Sequence, residues 1–210
     1  MSRFQIGHFA GIVSGMSEMR LLDTEGRRLY LNTEERVAFL KAARAQDPVH
    51  CAFAELLYFT GCRISEALEV TPERIDLSDN KVILRSLKKR REDVYRAVPL
   101  PPDYVDSLQR TFSLRQAQKR VKSKSERLWP WHRQYGWQLV KNIMQTADIA
   151  QGPHQTAKGL RHAYGIHAIS KGIPVTSVQK WLGHAQLSTT AIYVDFVGAE
   201  ASDLAARMWE

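Results

Sequence analysis

The chain has 210 residues, 44% of them hydrophobic, with two cysteines and a formal net charge of +8. That length and apolar content serve one ample domain or two small ones, and they exclude a disordered tail protein and a disulfide-stapled miniprotein. No apolar run approaches the ~20 residues of a membrane span, and the mildly apolar residues 4–16 are interrupted by Gln5, His8 and Ser14 with no small-residue cleavage site, so no signal peptide is read there.

In chain order, residues 1–27 carry Gly7, Gly11 and Gly15, which weaken any helix. Asn32 followed by Glu35 predicts a capping box and a helix running to Asp47-Pro48. Residues 49–59 are apolar almost all round, the mark of a buried helix, which Gly61 ends. A further helix is expected over about 63–70. Val82 and Leu84 alternate with Ile83 and Arg85 in a strand over 81–86, and 94–100 forms a second, joined by a long basic hairpin tip at 87–93. Helical text resumes at 102–112 and 135–147, and 113–127 reads as a basic helix or a connector. Four short helices follow at about 158–170, 174–182, 188–194 and 199–209, punctuated by Gly172, Gly183 and Gly198. The fold class expected is mainly α with a small antiparallel β-sheet (α+β).

The charge is local. Residues 81–127 hold fourteen Lys/Arg against five Asp/Glu, a net of +9, which leaves the rest at −1. Such a block is the footprint of a polyanion such as nucleic acid, with a solvated charged face as the bland alternative. Lys89, Arg90, Arg91, Arg96, Arg115, Lys119, Arg120, Lys122 and Lys124 are its candidate DNA contacts.

Three motifs carry reactive side chains. TGCRISEAL places Arg63 at a helix start with Glu66 three residues on. KGLRHAYGIHA sets Lys158 and Arg161 on one helical face, costly unless an anion lies between them. WLGHAQLSTTAIY puts His184 just after a C-cap glycine and Tyr193 nine positions later. His154, His162, His167 and His184 show no zinc-ligand spacing, neither Cys51 nor Cys62 has a Cys-x-x-Cys partner, and no phosphate-loop motif is present, so neither metal nor nucleotide cofactor is expected.

In this order, with the basic hairpin ending AVPL, the motifs resemble the tyrosine recombinase (phage integrase) family, over about residues 31–193. The resemblance implies a site-specific DNA recombinase that cuts and rejoins strands through a 3′-phosphotyrosine, with no cofactor. It implies that Arg63 and Arg161 clamp the scissile phosphate, that His184 donates to a non-bridging oxygen, and that Tyr193 is the nucleophile. A hairpin lysine protonates the leaving 5′-oxygen; Lys88 fits that place best, with Lys89 its rival. Glu66 buttresses Arg63. The family usually has histidine where Lys158 stands, so Lys158 is read as a phosphate contact, and His162 and His167 as structural histidines. His154, one turn earlier, is kept in a loop by Gly152-Pro153.

The organisation expected is a short segment over 1–30, a catalytic domain over 31–198 and a terminal helix over 199–210, docked on a neighbouring subunit or on its own domain. The family usually carries an amino-terminal helical domain of roughly one small domain's size that closes around DNA, whereas only about 30 residues precede the catalytic text here; the basic 81–127 block is the candidate to share that work. Double-stranded DNA, a homotetramer on DNA and an accessory DNA-binding protein are the partners implied, with no membrane and a cytoplasmic, nucleoid-associated location. A type IB topoisomerase-like nicking-closing enzyme and a catalytically inactive DNA-binding regulator are the competing functions.

Overall fold

The computed structural model describes residues 20–86 and 94–197. Helix α1 (Thr33–Arg44) begins at Asn32, whose side chain accepts the Glu35 N–H at 2.8 Å while Glu35 accepts the Asn32 N–H at 3.0 Å. This is the reciprocal cap read from the sequence. Helix α2 (Pro48–Thr60) starts with Asp47 accepting the N–H groups of Val49 and His50 and a proline at its first turn. It ends at Gly61, in the left-handed region at φ 59°, where a Cβ would also meet the Tyr164 ring at 2.7 Å. Only glycine fits both constraints.

Helix α3 (Ile64–Ala67) is shorter than the sequence suggested. Arg63 is its N-cap rather than a residue of its first turn, and Glu69 and Val70 donate to carbonyls three residues back, tightening the chain before Thr71-Pro72. The sheet has three antiparallel strands in the order β1 (Ile75–Asp76), β2 (Lys81–Arg85) and β3 (Tyr95–Pro99). Val82 pairs with Val98 and Leu84 with Arg96, and the inward alternation of Val82 and Leu84 is as expected. Strand β1 has too few residues to show a period of two, and the sequence reading passed over it.

Helix α4 (Pro102–Phe112) leads into α5 (Leu114–Lys119) and a single 3₁₀ turn at Ser123–Ser125, so the stretch 113–127, read as a basic helix or a connector, is a short helix followed by a turn. Then follow α6 (Arg133–Thr146), α7 (Ala157–Ser170), α8 (Val175–Leu182) and α9 (Ser188–Val197). The main core forms where α1, α4 and α7 pack on α2. Trp129 is fully buried there, its indole N–H donating to the Val49 carbonyl at 3.0 Å. A second cluster holds Tyr164, Ala168, Val178, Leu182 and Tyr193, where α7, α8 and α9 meet. Among the described residues no helix is long and apolar enough to cross a membrane. The expectations for 1–19, the hairpin tip at 87–93 and the terminal helix at 199–209 lie outside the described residues.

Candidate active site

The site is built around one buried cation. The Arg161 side chain on α7 donates to the Gly61 carbonyl at 2.8 Å and to the Leu182 carbonyl at 2.7 Å. Those oxygens stand at the C-terminal ends of α2 and α8, where the helix dipoles are negative, so two helix ends hold a guanidinium that has no direct carboxylate partner among the described residues. Burial and the neighbouring Arg63 pull its pKa down to about 10, and it remains a cation at neutral pH. Both contacts depend on glycine turns, Gly61 and Gly183, whose φ values are 59° and 67°.

Arg63 and Arg96 share one carboxylate. Glu66, 1% exposed, accepts from the Arg63 guanidinium at 2.9 Å, from the Arg63 backbone N–H at 2.9 Å and from Arg96 at 2.7 Å. Burial alone would raise the Glu66 carboxyl; hydrogen bonding and charge from Arg96, then the Arg63 N–H and charge, hold it below the usual carboxylate range. Arg96 also donates to the Trp181 carbonyl at 2.7 Å and to the Ser86 hydroxyl at 3.2 Å. This corrects one expectation. Arg96 does not lie with the outer basic side chains; it points inward and ties the base of the β2–β3 hairpin to α3 and α8. A half-buried β-strand residue facing a buried glutamate 30 positions away carries no local signature that separates it from a surface arginine.

Tyr193 on α9 is fully covered, its ring flanked by two imidazoles: His162 with centroids 6.0 Å apart and His184 with centroids 6.4 Å apart. Its hydroxyl lies 3.1 Å from His162 Nδ1. The ring fits against α7 because residue 165 is glycine, where a Cβ would sit 2.4 Å from Tyr193 Cε2. Burial drives the phenol up to about 12, against the opposing charges of Arg161 and Arg63. His184 follows α8, with its Nδ1 2.9 Å from the Thr190 hydroxyl and its Nε2 buried without a partner among the described residues. Its pKa falls to about 3, first from burial and then from Arg161 and Arg63, so the ring is neutral. A Thr190 hydroxyl that donates to Nδ1 would place the imidazole hydrogen on the free Nε2.

The structure therefore brings Arg63, Arg161, His184, Tyr193 and Glu66 together. Lys158 is exposed at the start of α7. Lys88, Lys89, Arg90 and Arg91 lie outside the described residues. Arg115, Lys119, Arg120 and Lys122 are exposed and Lys124 is half-buried, on α5 and the turn after it. His154 is buried in the turn before α7 and faces Glu35 at 3.5 Å. His167 lines a separate cavity of about 640 Å³, with Arg36, Glu55 and Tyr58. His162, expected to be structural, instead touches the Tyr193 hydroxyl. The spacing 158, 162, 165 along one helix face was the signal that could have found it. Among the described residues no three His, Cys, Asp or Glu side chains cluster as a metal site requires.

Comparison with known proteins decides the lineage: the profile of the phage integrase family matches residues 29–197. The chain belongs to the phage integrase family. Among similar curated members of this family are tyrosine recombinase XerD of Pseudomonas aeruginosa, 32% identical over 183 residues that cover 81% of this chain and 58% of the relative, and tyrosine recombinase XerA of Thermococcus kodakarensis, 29% identical over 66% of this chain and 48% of the relative. The chain thus spans about half to three fifths of the length of these relatives. Among solved family structures, XerH site-specific recombinase bound to a palindromic difH substrate in a post-cleavage complex superposes with a TM-score of 0.69 at 25% identity, covering 89% of this chain and 56% of that one. The catalytic domain of bacteriophage HP1 integrase superposes with a TM-score of 0.60 at 20% identity, over 80% of this chain and 87% of that domain, a likeness of fold.

Proposed function

We propose that the protein is a site-specific recombinase that cuts and rejoins double-stranded DNA through a 3′-phosphotyrosine on Tyr193. One observation carries this reading most: the buried Tyr193 phenol lies in the field of Arg161 and Arg63, and the ring of His184 beside it keeps a buried Nε2 with no partner among the described residues. A phosphodiester supplies the missing anion. Its non-bridging oxygens would take the Arg63 and Arg161 guanidinium groups and the His184 Nε2–H, all of which gain as charge builds on phosphorus. The Tyr193 Oη–P bond forms as the P–O5′ bond breaks, and the leaving oxygen takes a proton from a hairpin lysine, Lys88 or its rival Lys89. Lys158 would contact phosphate as a point charge. The XerH structures hold recombinase on DNA before and after cleavage, which favours the same substrate class here. A homotetramer on DNA, aided by an accessory DNA-binding protein, is the assembly this reading calls for, with exchange of strands between two sites.

The test uses the full chain and a nicked duplex carrying the sequence that the protein selects from a randomised pool. A covalent adduct that forms with wild-type protein and is lost in Tyr193→Phe, with DNA binding retained, supports the reading. Binding without any adduct would make the chain a DNA-binding regulator. Relaxation of a supercoiled plasmid, with no recombinants between two selected sites, would make it a nicking-closing enzyme.

A further inference from the structure

We infer that His162 is a catalytic residue of this chain, the base that takes the Tyr193 proton through Nδ1. The inference rests on reading Tyr193 as the nucleophile. It starts from a contact of 3.1 Å between two fully buried side chains, the His162 ring at 0% exposure and the Tyr193 ring at 0%. A neutral imidazole has one donor and one acceptor nitrogen. Among the described residues His162 Nε2 is buried and has no partner, and the Tyr193 hydroxyl has His162 as its hydrogen-bonding neighbour. If Nδ1 carried the hydrogen, the phenol O–H would be left without an acceptor and Nε2 without a donor. With the hydrogen on Nε2, the phenol donates to Nδ1 and one polar atom alone is unmet. Buried polar groups favour the arrangement that leaves fewer of them unpaired. The hydrogen that must leave Tyr193 therefore already points at His162.

The groups facing His162 keep it in the accepting form. Burial first, then Lys158 and Arg161 on its own helix, disfavour an imidazolium, and its pKa falls to about 3. His184, from the turn after α8, is neutral, and Tyr193 is the facing group from α9. A phosphodiester between Arg161 and His184 adds a negative charge to this field and counters the two cations, raising the basicity of His162 when substrate is in place. The balance of the step is closed. The phenol proton moves to Nδ1 as Oη bonds to phosphorus, O5′ departs with a proton from the hairpin lysine, and rejoining runs both transfers backwards. Lys158 is exposed one turn earlier, outside the pair of buried rings.

The experiment is single-turnover adduct formation on the selected nicked duplex as a function of pH, for wild type, His162→Asn, Lys158→Ala and Tyr193→Phe. Asparagine keeps the size and polarity of the ring's near side but accepts no proton. His162→Asn is expected to bind the duplex as wild type does and to cleave about 100-fold more slowly at neutral pH. Its rate should then climb about tenfold per pH unit toward alkaline pH, where Tyr193 ionises unaided, while wild type stays level. Lys158→Ala should slow cleavage without that slope. A His162→Asn rate equal to wild type, or a slower rate with a profile parallel to wild type, would overturn the inference and leave His162 a packing residue. The Tyr193→Phe control separates the two readings. An adduct that depends on Tyr193 upholds the nucleophile whatever His162 does, and no Tyr193-dependent adduct from wild type would sink both.

Discussion

At the scale of single residues, the site is governed by where hydrogens sit on buried rings. Thr190 is fully buried and its hydroxyl orients His184. Replacing it with valine keeps the shape and removes the donor, freeing the other tautomer, whose bare Nε2 repels a phosphate oxygen. Thr190→Val should reduce the cleavage rate by about 10- to 100-fold with DNA affinity retained, measured on the selected nicked duplex. The same rings set a pH dependence of stability. His162 and His184 both titrate near 3 when folded and near 6.5 when unfolded. The unfolded chain binds more protons between those values, so their contribution is fully present above about pH 6.5 and is lost as pH falls toward 3. Each ring contributes a slope of about 1.4 kcal/mol per pH unit in that window. Urea denaturation from pH 7 to 4.5 should show stability falling with acid, and His162→Asn should remove about one proton's share of the slope.

At the scale of elements, α7 is the organising piece, because one face of it presents Arg161, His162 and Gly165 to α9 and to the ends of α2 and α8, with Lys158 exposed one turn earlier. Alanine at 165 would favour the helix by up to about 1 kcal/mol on propensity. It would also drive a methyl into the Tyr193 ring, so Gly165→Ala should displace α9 and abolish adduct formation while α7 stays folded, a combination that circular dichroism and the adduct assay can read together. Tyr193 is covered, so productive contact with a phosphate requires α9 to shift, and its amides should lose hydrogen-exchange protection when the selected duplex binds. Much of this was legible in the sequence. Capping residues such as Asn32, the glycine stops at Gly61 and Gly183, and the alternation in β2 act locally, and local signals survive in the text. What was not legible depends on the distant packing of α3, α8 and α9: the inward turn of Arg96, and the approach of His162 to a tyrosine 31 positions away.

At the scale of the whole molecule, the +9 block between 81 and 127 is less uniform than its arithmetic suggests. Lys81 pairs with Asp76 and Asp79, Arg127 with Glu69, and Arg96 with Glu66, all acids outside the block. What remains on the described surface is concentrated on α5 and the turn after it, where Arg115, Lys119, Arg120 and Lys122 are exposed. Replacing these four with glutamine should weaken binding to duplexes of any sequence alike. It should also flatten the dependence of log K on log salt by ~0.9 for each phosphate contact removed. An unchanged slope would make α5 an ordinary solvated face. On the reading proposed above, the charge divides into an outer set on α5 and the turn after it, which would grip backbone, and an inner pair, Arg63 and Arg161, which would hold one phosphate.

The central claim is that Tyr193 becomes covalently joined to DNA. Peptide mapping by mass spectrometry of protein trapped on the selected nicked duplex tests it most directly. The expected result is a single modified peptide containing residue 193, linked through its phenolic oxygen to a 3′-phosphate, with a free 5′-hydroxyl on the released strand. A linkage at any other residue, or to a 5′-phosphate, would contradict the account.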